Sequence, residues 1–381
     1  EDSRRNGVLS LADDVATKEF TQDFMERLWL ESPLNVPMAV LMLSVWPHIV
    51  YLLDLSLNEC RRAAAGENDD GLTNDTYLSL REVERAMALW FGSNDSVAGG
   101  PKFTSLSGMA NLLGGSFIMS TGMRVNLTVK SLYEEMVQLL SHAERCYPGS
   151  STTEELFHLV NEMISTMTIP LVQGLINSLL RATTGDIEMR EMARIYAFAV
   201  VPRLTACRPS VAHNLLQDVL RPNDNSTKHG DDALNNAIYF LESVYPCLGI
   251  KCENINPSPI IPAMSACTNP RDNSPFGGNY SPSSTTARTH AMIDLDVRQF
   301  SILVGGGAFE AAKMLYTFGN SARVNGERGT EYISLASLAT DPARSRGDPF
   351  YGYFVTDARS TFYAHNVIME ALEGAGQYEE M

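Results

Sequence analysis

The segment Phe309–Asp341 reads FEAAKMLYTFGNSARVNGERGTEYISLASLATD, and a variant of it stands earlier, at Glu84–Gly114, as ERAMALWFGSNDSVAGGPKFTSLSGMANLLG. Glu84 answers Glu310, Ala86 answers Ala312, and Leu89-Trp90 answers Leu315-Tyr316. Gly92 answers Gly319 after one inserted residue, Ser105-Leu106 answers Ser334-Leu335, and Met109-Ala110 answers Leu338-Ala339. Each segment predicts a helix with one apolar face, a stop at glycine, a polar loop and a second short helix. Such a hairpin needs a neighbour to cover its apolar stripe. The alternative is chance likeness between two Ala- and Leu-rich helix pairs.

A second match keeps the same order. Leu43–Ile49 (LSVWPHI) parallels Phe198–Leu204 (FAVVPRL), each with a valine two residues before a proline in an apolar run. In both halves this run precedes the hairpin, so the reading is an internal duplication whose second half carries an insertion at about 221–290. The expected organisation is an N-terminal helical half over 1–150, connecting helices over 151–185, and a C-terminal half over 186–381.

Period-2 runs of β-branched residues are nearly absent, and the expected class is all-α. Phe20, Phe24 and Leu28 have helical spacing, and Leu132, Met136, Leu139 and Leu140 form the inward face of a helix over 125–142. Thr152 with Glu155 has capping-box spacing for a helix over 154–180, which Pro170 should kink. Val36–Leu53 is apolar enough to suggest a membrane span, but Pro47, His48 and the polar character of its duplicate around Pro202 favour a packed helix instead. The expectation is therefore no membrane span.

With 45 acidic against 29 basic residues the net charge is −16, which disfavours nucleic acid as a partner. The six cysteines are Cys60, Cys146, Cys207, Cys247, Cys252 and Cys267. Cys247 and Cys252 are too far apart for a redox CxxC pair and lack the second pair that zinc requires, so a short-loop disulfide is the expectation. Cys146–Cys207 and Cys60–Cys267 complete the preferred pairing among the fifteen that six cysteines allow. Cys267 then pins the Pro- and Ser-rich loop over 253–288.

Asn-x-Ser/Thr sequons stand at Asn74, Asn94, Asn126, Asn225 and Asn279. With an even cysteine count they predict an extracellular glycoprotein, and the charged opening Glu1–Arg5 suits a chain whose signal peptide has been removed.

No motif supports an active site, and the chain is read as non-enzymatic. Gly305-Gly306-Gly307 offers either an anion cradle or a hinge between helices. His290, Asp294 and Asp296 cluster just before the repeated hairpin and, with Glu310, offer ligands to a hard or borderline metal ion; the aspartates serve equally as caps. His158 with Glu162, and His365 with Glu370, share helices without forming a ligand set.

Arg288-Thr-His290, Ile293–Asp296, Ala308–Lys313, Leu315-Tyr316, Gly319–Ser321 and Ser334-Leu335 resemble the secreted iron-assimilating, low-iron-inducible proteins of algae. Tyr363–His365 with Ala371–Gly374, and Tyr196-Ala197, Val201-Pro202 and Thr205–Pro209, extend the likeness, which is strongest over residues 288–374. The resemblance implies a cell-surface protein that binds iron or supports its uptake. The competing expectation is a structural glycoprotein that associates with itself or with other surface proteins in a layer or filament.

Overall fold

The structure is a computed structural model that describes residues 36–65, 75–92, 105–116, 121–141, 146, 151–182, 186–205, 208–220, 236–238, 240–255, 292–326, 329–340 and 363–379. It divides into two compact units, Ala12–Asn273 and a second containing Ser274–Met381. The division therefore falls inside the expected insertion and not at 150 or 185. The helices after residue 150 pack onto those before it, so residues 151–182 form the middle of a unit.

In the first unit a helix begins as α1 (Val36–Val40), widens into a π-helical turn at Leu41–Val45 and continues as α2 (Trp46–Ala65). The widening has a local cause. Pro47 has no N–H for the helical ladder and its ring crowds the carbonyl four residues back. The ladder shifts by one just before it, and the Trp46 N–H bonds to the Leu41 carbonyl.

Next come α3 (Asp75–Phe91), α4 (Leu106–Ser116), α5 (Thr121–Ser141), α6 (Thr152–Ala182), α7 (Ile187–Thr205), α8 (Pro209–Leu220) and the short α9 (Cys252–Ile255). The central element is α6, which touches α2, α4, α5, α7 and α9. Most of its residues are buried, including Leu156, Val160, Met163, Met167, Leu171, Val172, Leu175, Ile176 and Leu179. At about 1.5–3 kcal/mol for each fully buried aliphatic side chain, this helix supplies much of the unit's apolar driving force. It starts two residues earlier than the expected 154, at Thr152; Ser151 precedes it, donating its hydroxyl to Glu155 at 2.6 Å.

Two helices, Met38–Ala65 and Thr152–Ala182, are long and apolar enough to cross a membrane. The most apolar window of the second is 83% buried within the protein, which makes it a core helix, whereas that of the first is 39% buried. The first helix packs by one face, through Met42, Trp46, Ile49, Leu52, Leu53 and Leu57. The two proline-containing runs meet here, where the Trp46 indole donates to the Ala199 carbonyl at 3.2 Å.

The second unit contains α10 (Ile293–Gly305), α11 (Phe309–Phe318), an antiparallel hairpin of β1 (Arg323–Gly326) and β2 (Gly329–Tyr332), α12 (Leu335–Thr340) and α13 (Tyr363–Glu379). Leu303, Ala308, Ala312, Leu315 and Leu372 form its core, with Phe300, Phe309 and Ile368 packed against them. The helical class holds for the described residues except for this hairpin. It occupies the polar loop of the second repeat, where β-branched Val324 and Thr330 stand opposite Glu331 and Asn325 in the register.

The repeated hairpins share one device. Gly92 and Gly319 both end their helices at φ 68°, and each N–H bonds to the carbonyl four residues back at 2.9 Å, Ala88 and Leu315 respectively. A Cβ on Gly92 would lie 2.9 Å from the Ser105 Cβ, and one on Gly319 would lie 3.0 Å from the Ser334 Cα. Those two serines cap the following helices, Ser105 Oγ accepting from the Gly108 N–H and Ser334 Oγ from the Ser337 N–H.

The disulfide pairing differs from the expected one. Cys60 bonds to Cys146 with the Cα atoms 5.0 Å apart, which excludes both Cys146–Cys207 and Cys60–Cys267. The reason is helix packing: α2 lies against the start of α6, and the Cys60 Sγ is 3.7 Å from the Thr153 Oγ1. Cys247 is also disulfide-bonded. The expected Cys247–Cys252 pairing, together with Cys207 and Cys267, lies outside the described side chains.

Two stability measurements follow. Gly319→Ala places a side chain in a left-handed conformation against the Ile333 carbonyl, and urea unfolding should show a loss of about 1–3 kcal/mol. Replacing Cys60 and Cys146 together by serine releases a loop of 86 residues and should cost about 2–5 kcal/mol by the same method.

Candidate functional site

The ligand set read from the sequence is only partly within the described residues: His290 and the Asp294 side chain lie outside them. Asp296 is fully buried on α10 and holds the turn after α11. Its two carboxylate oxygens accept the Asn320 N–H at 3.1 Å and the Ser321 N–H at 2.9 Å. Glu310 is exposed in the first turn of α11, a position where a carboxylate complements the helix dipole. Among the described residues no three His, Cys, Asp or Glu side chains converge as a metal site would require.

The glycine run does not make an anion cradle. It terminates α10, with the Gly306 N–H bonded to the Ile302 carbonyl, Gly307 to Val304 and Ala308 to Leu303. Amides committed to helix carbonyls are unavailable to a ligand, and the run is the turn between α10 and α11.

Four of the five sequons, Asn74, Asn94, Asn225 and Asn279, lie outside the described residues. Asn126 is a structural residue of α5. Its Oδ1 accepts the buried Trp90 indole N–H at 3.0 Å, and its Nδ2 donates to the Ser107 carbonyl and to Asn111 Oδ1, both at 2.9 Å. An N-linked glycan would take one of those two hydrogens, so the fold and the sugar compete for the same atom. The second unit treats its matching aromatic similarly: the Tyr316 hydroxyl lies 3.3 Å from the His365 Nδ1 on α13, the rings stacked at 5.7 Å.

An open groove of about 430 Å³ runs between α3 and α5. Met87, Ala88 and Phe91 give it an apolar lining, with Tyr133, Glu84, Lys130 and Glu134 alongside. Burial raises the Tyr133 phenol above its usual range, and the Glu84 carboxylate pushes the same way, which holds it neutral.

A polar network also crosses the first unit. Thr168, on α6 two residues before Pro170, donates to the Ile164 carbonyl at 2.7 Å, and the Arg203 guanidinium of α7 donates to both Thr168 Oγ1 and that carbonyl. Asp54 on α2 faces this cation electrostatically. Burial lifts the Asp54 carboxyl to about 7, against the opposing pull of Arg203, and burial lowers Arg203 to about 10. No sequence motif marked this group.

Because the folded pKa of Asp54 lies above the unfolded value, its protonation contributes stability that is complete below about pH 4 and lost as pH rises through about 7. Asn at position 54 imitates the protonated acid. Urea unfolding at pH 5 and pH 8 should therefore show Asp54→Asn gaining stability relative to the native chain as pH rises. An unchanged difference would remove Asp54 from this role.

Comparison with protein-family models, with curated proteins and with solved structures yields no match to this chain.

Proposed function

We propose that this chain is a secreted, non-enzymatic cell-surface protein, descended from a duplicated helical unit, that works through assembly with itself or with other surface proteins. The duplication is supported by the glycine stop and serine cap that the two hairpins share, and by the hydrogen-bonded pairs Trp90–Asn126 and Tyr316–His365 at matching places. The observation that favours assembly over metal capture is the use of Asp296. Its carboxylate is buried against two backbone N–H groups, so one of the four expected ligands already has a structural task. The Cys60–Cys146 disulfide suits an oxidising compartment.

Iron binding is the second reading. It is supported by the resemblance over residues 288–374 and by the net charge of −16, with oxygen ligands drawn from Asp294 and Glu310 beside His290.

Metal analysis of the native protein and sedimentation velocity over a wide concentration range separate the two. Concentration-dependent association with no stoichiometric iron supports assembly; one bound iron per chain, lost in Glu310→Gln, supports iron capture and overturns the first reading. Asp296→Ala should destabilise the chain by about 1–3 kcal/mol through its orphaned amides, and leave metal content unchanged.

A further inference from the structure

Of the two long apolar helices, the one over Met38–Ala65 is the less covered, with 39% of its most apolar window buried against 83% in the other. Helices α3 and α6 pack on α2, and α7 packs on the π turn. They take the side that bears Trp46, Ile49 and Leu53. On the other side Val40 and Tyr51 are 46% and 40% exposed, and Leu43, Pro47 and Leu55 are only partly buried. These residues recur at steps of three or four, so they form one stripe down the helix. An apolar stripe that a helix turns towards water marks a contact surface.

The chain carries a matching stripe immediately before this helix. Phe20, Phe24, Met25, Leu28 and Trp29 fall on one half of a helical projection, with Glu19, Asp23, Glu26 and Arg27 on the other. Only Glu31–Asn35 (ESPLN) separates this stretch from Val36, the start of α1. Pro33 disfavours helical backbone at Ser32 and so marks a turn. Connections of about two to eight residues join antiparallel neighbours in helical bundles. A helix over residues 20–30 would be about 16 Å long, enough to run from the start of α1 to Pro47, with Tyr51 one turn further. So short a tether gives the segment an effective concentration on the order of millimolar at the stripe, ahead of a dilute external partner.

We propose that residues 20–30, which lie outside the described residues, dock antiparallel on the Val40–Tyr51 stripe of their own chain and complete the cover of the α1–α2 helix. The inference rests on neither the assembly reading nor the iron reading.

The chain's three tryptophans make the test. Trp46 and Trp90 are 2% and 0% exposed, so Trp29 is the one whose surroundings depend on docking. Subtracting the emission of Trp29→Phe from that of the full chain isolates it, and iodide quenching reads its access to solvent. Trp29 should be shielded in the dilute full chain. It should lose that shielding in Phe24→Asp, which alters the segment, and in Val40→Asp/Tyr51→Asp, which alters the stripe, while Trp46 and Trp90 stay shielded in both. Where the double variant exposes Trp46, Tyr51→Asp alone takes its place. Trp29 equally open in the full chain and in the variants overturns the proposal, as does Trp29 shielded in all of them, which would seat the segment elsewhere. Shielding that appears only as protein concentration rises assigns the stripe to a second copy, and shielding that appears only with phosphatidylcholine vesicles assigns it to a lipid surface; either result also overturns docking within the chain.

Discussion

The burial of α6 is the constraint on which the first unit depends. A helix of 31 residues that is apolar on most of its circumference is stable in water only when neighbours cover it on several sides. Helices α2, α4, α5 and α7 supply that cover. Close approach is obtained at particular residues: the position of Gly174 on α6 is filled by the Tyr196 ring of α7, and any Cβ there would collide with it. The Cys60–Cys146 disulfide then joins the end of α2 to the chain just before α6, reinforcing an arrangement that apolar burial already favours.

Prolines in all three central helices shape this core without breaking it. Pro47, Pro170 and Pro202 each remove a ladder donor, and each fault lies next to a tertiary hydrogen bond or a change in helix pitch. The π turn before Pro47 carries Trp46 into contact with Ala199. Near Pro170, Thr168 gathers the Arg203 guanidinium and the Ile164 carbonyl. The resulting polar network is buried beside Asp54, which couples the packing of α2 and α7 to protonation.

The two units reuse one local solution with different polar chemistry. A left-handed glycine turns the chain, a serine starts the next helix, and an aromatic residue buried under the turn finds a hydrogen-bonding partner on a later helix. What differs is the surface seam alongside. In the second unit the Lys313–Glu373 ion pair crosses it; in the first, Met87 stands at the lysine's position and Glu134 pairs with Lys130 of its own helix.

The sequence by itself determined the helical class, the ends of the repeated helices and the places where proline interrupts the helical ladder. These depend on interactions within a few residues: the i, i+4 spacing of apolar side chains, the φ that glycine alone adopts easily at positions 92 and 319, the serine caps, and the missing N–H of proline. Tertiary structure decided which cysteine met Cys60, that residues 152–182 would be a core helix, and that Asp296 would anchor backbone amides. It also made Asn126, which the sequence shows only as a sequon, the partner of Trp90, thirty-six residues away. A local pattern lists the donors and acceptors that a residue carries, but the atoms that satisfy them come from distant parts of the chain, and only the packed helices bring those atoms within reach.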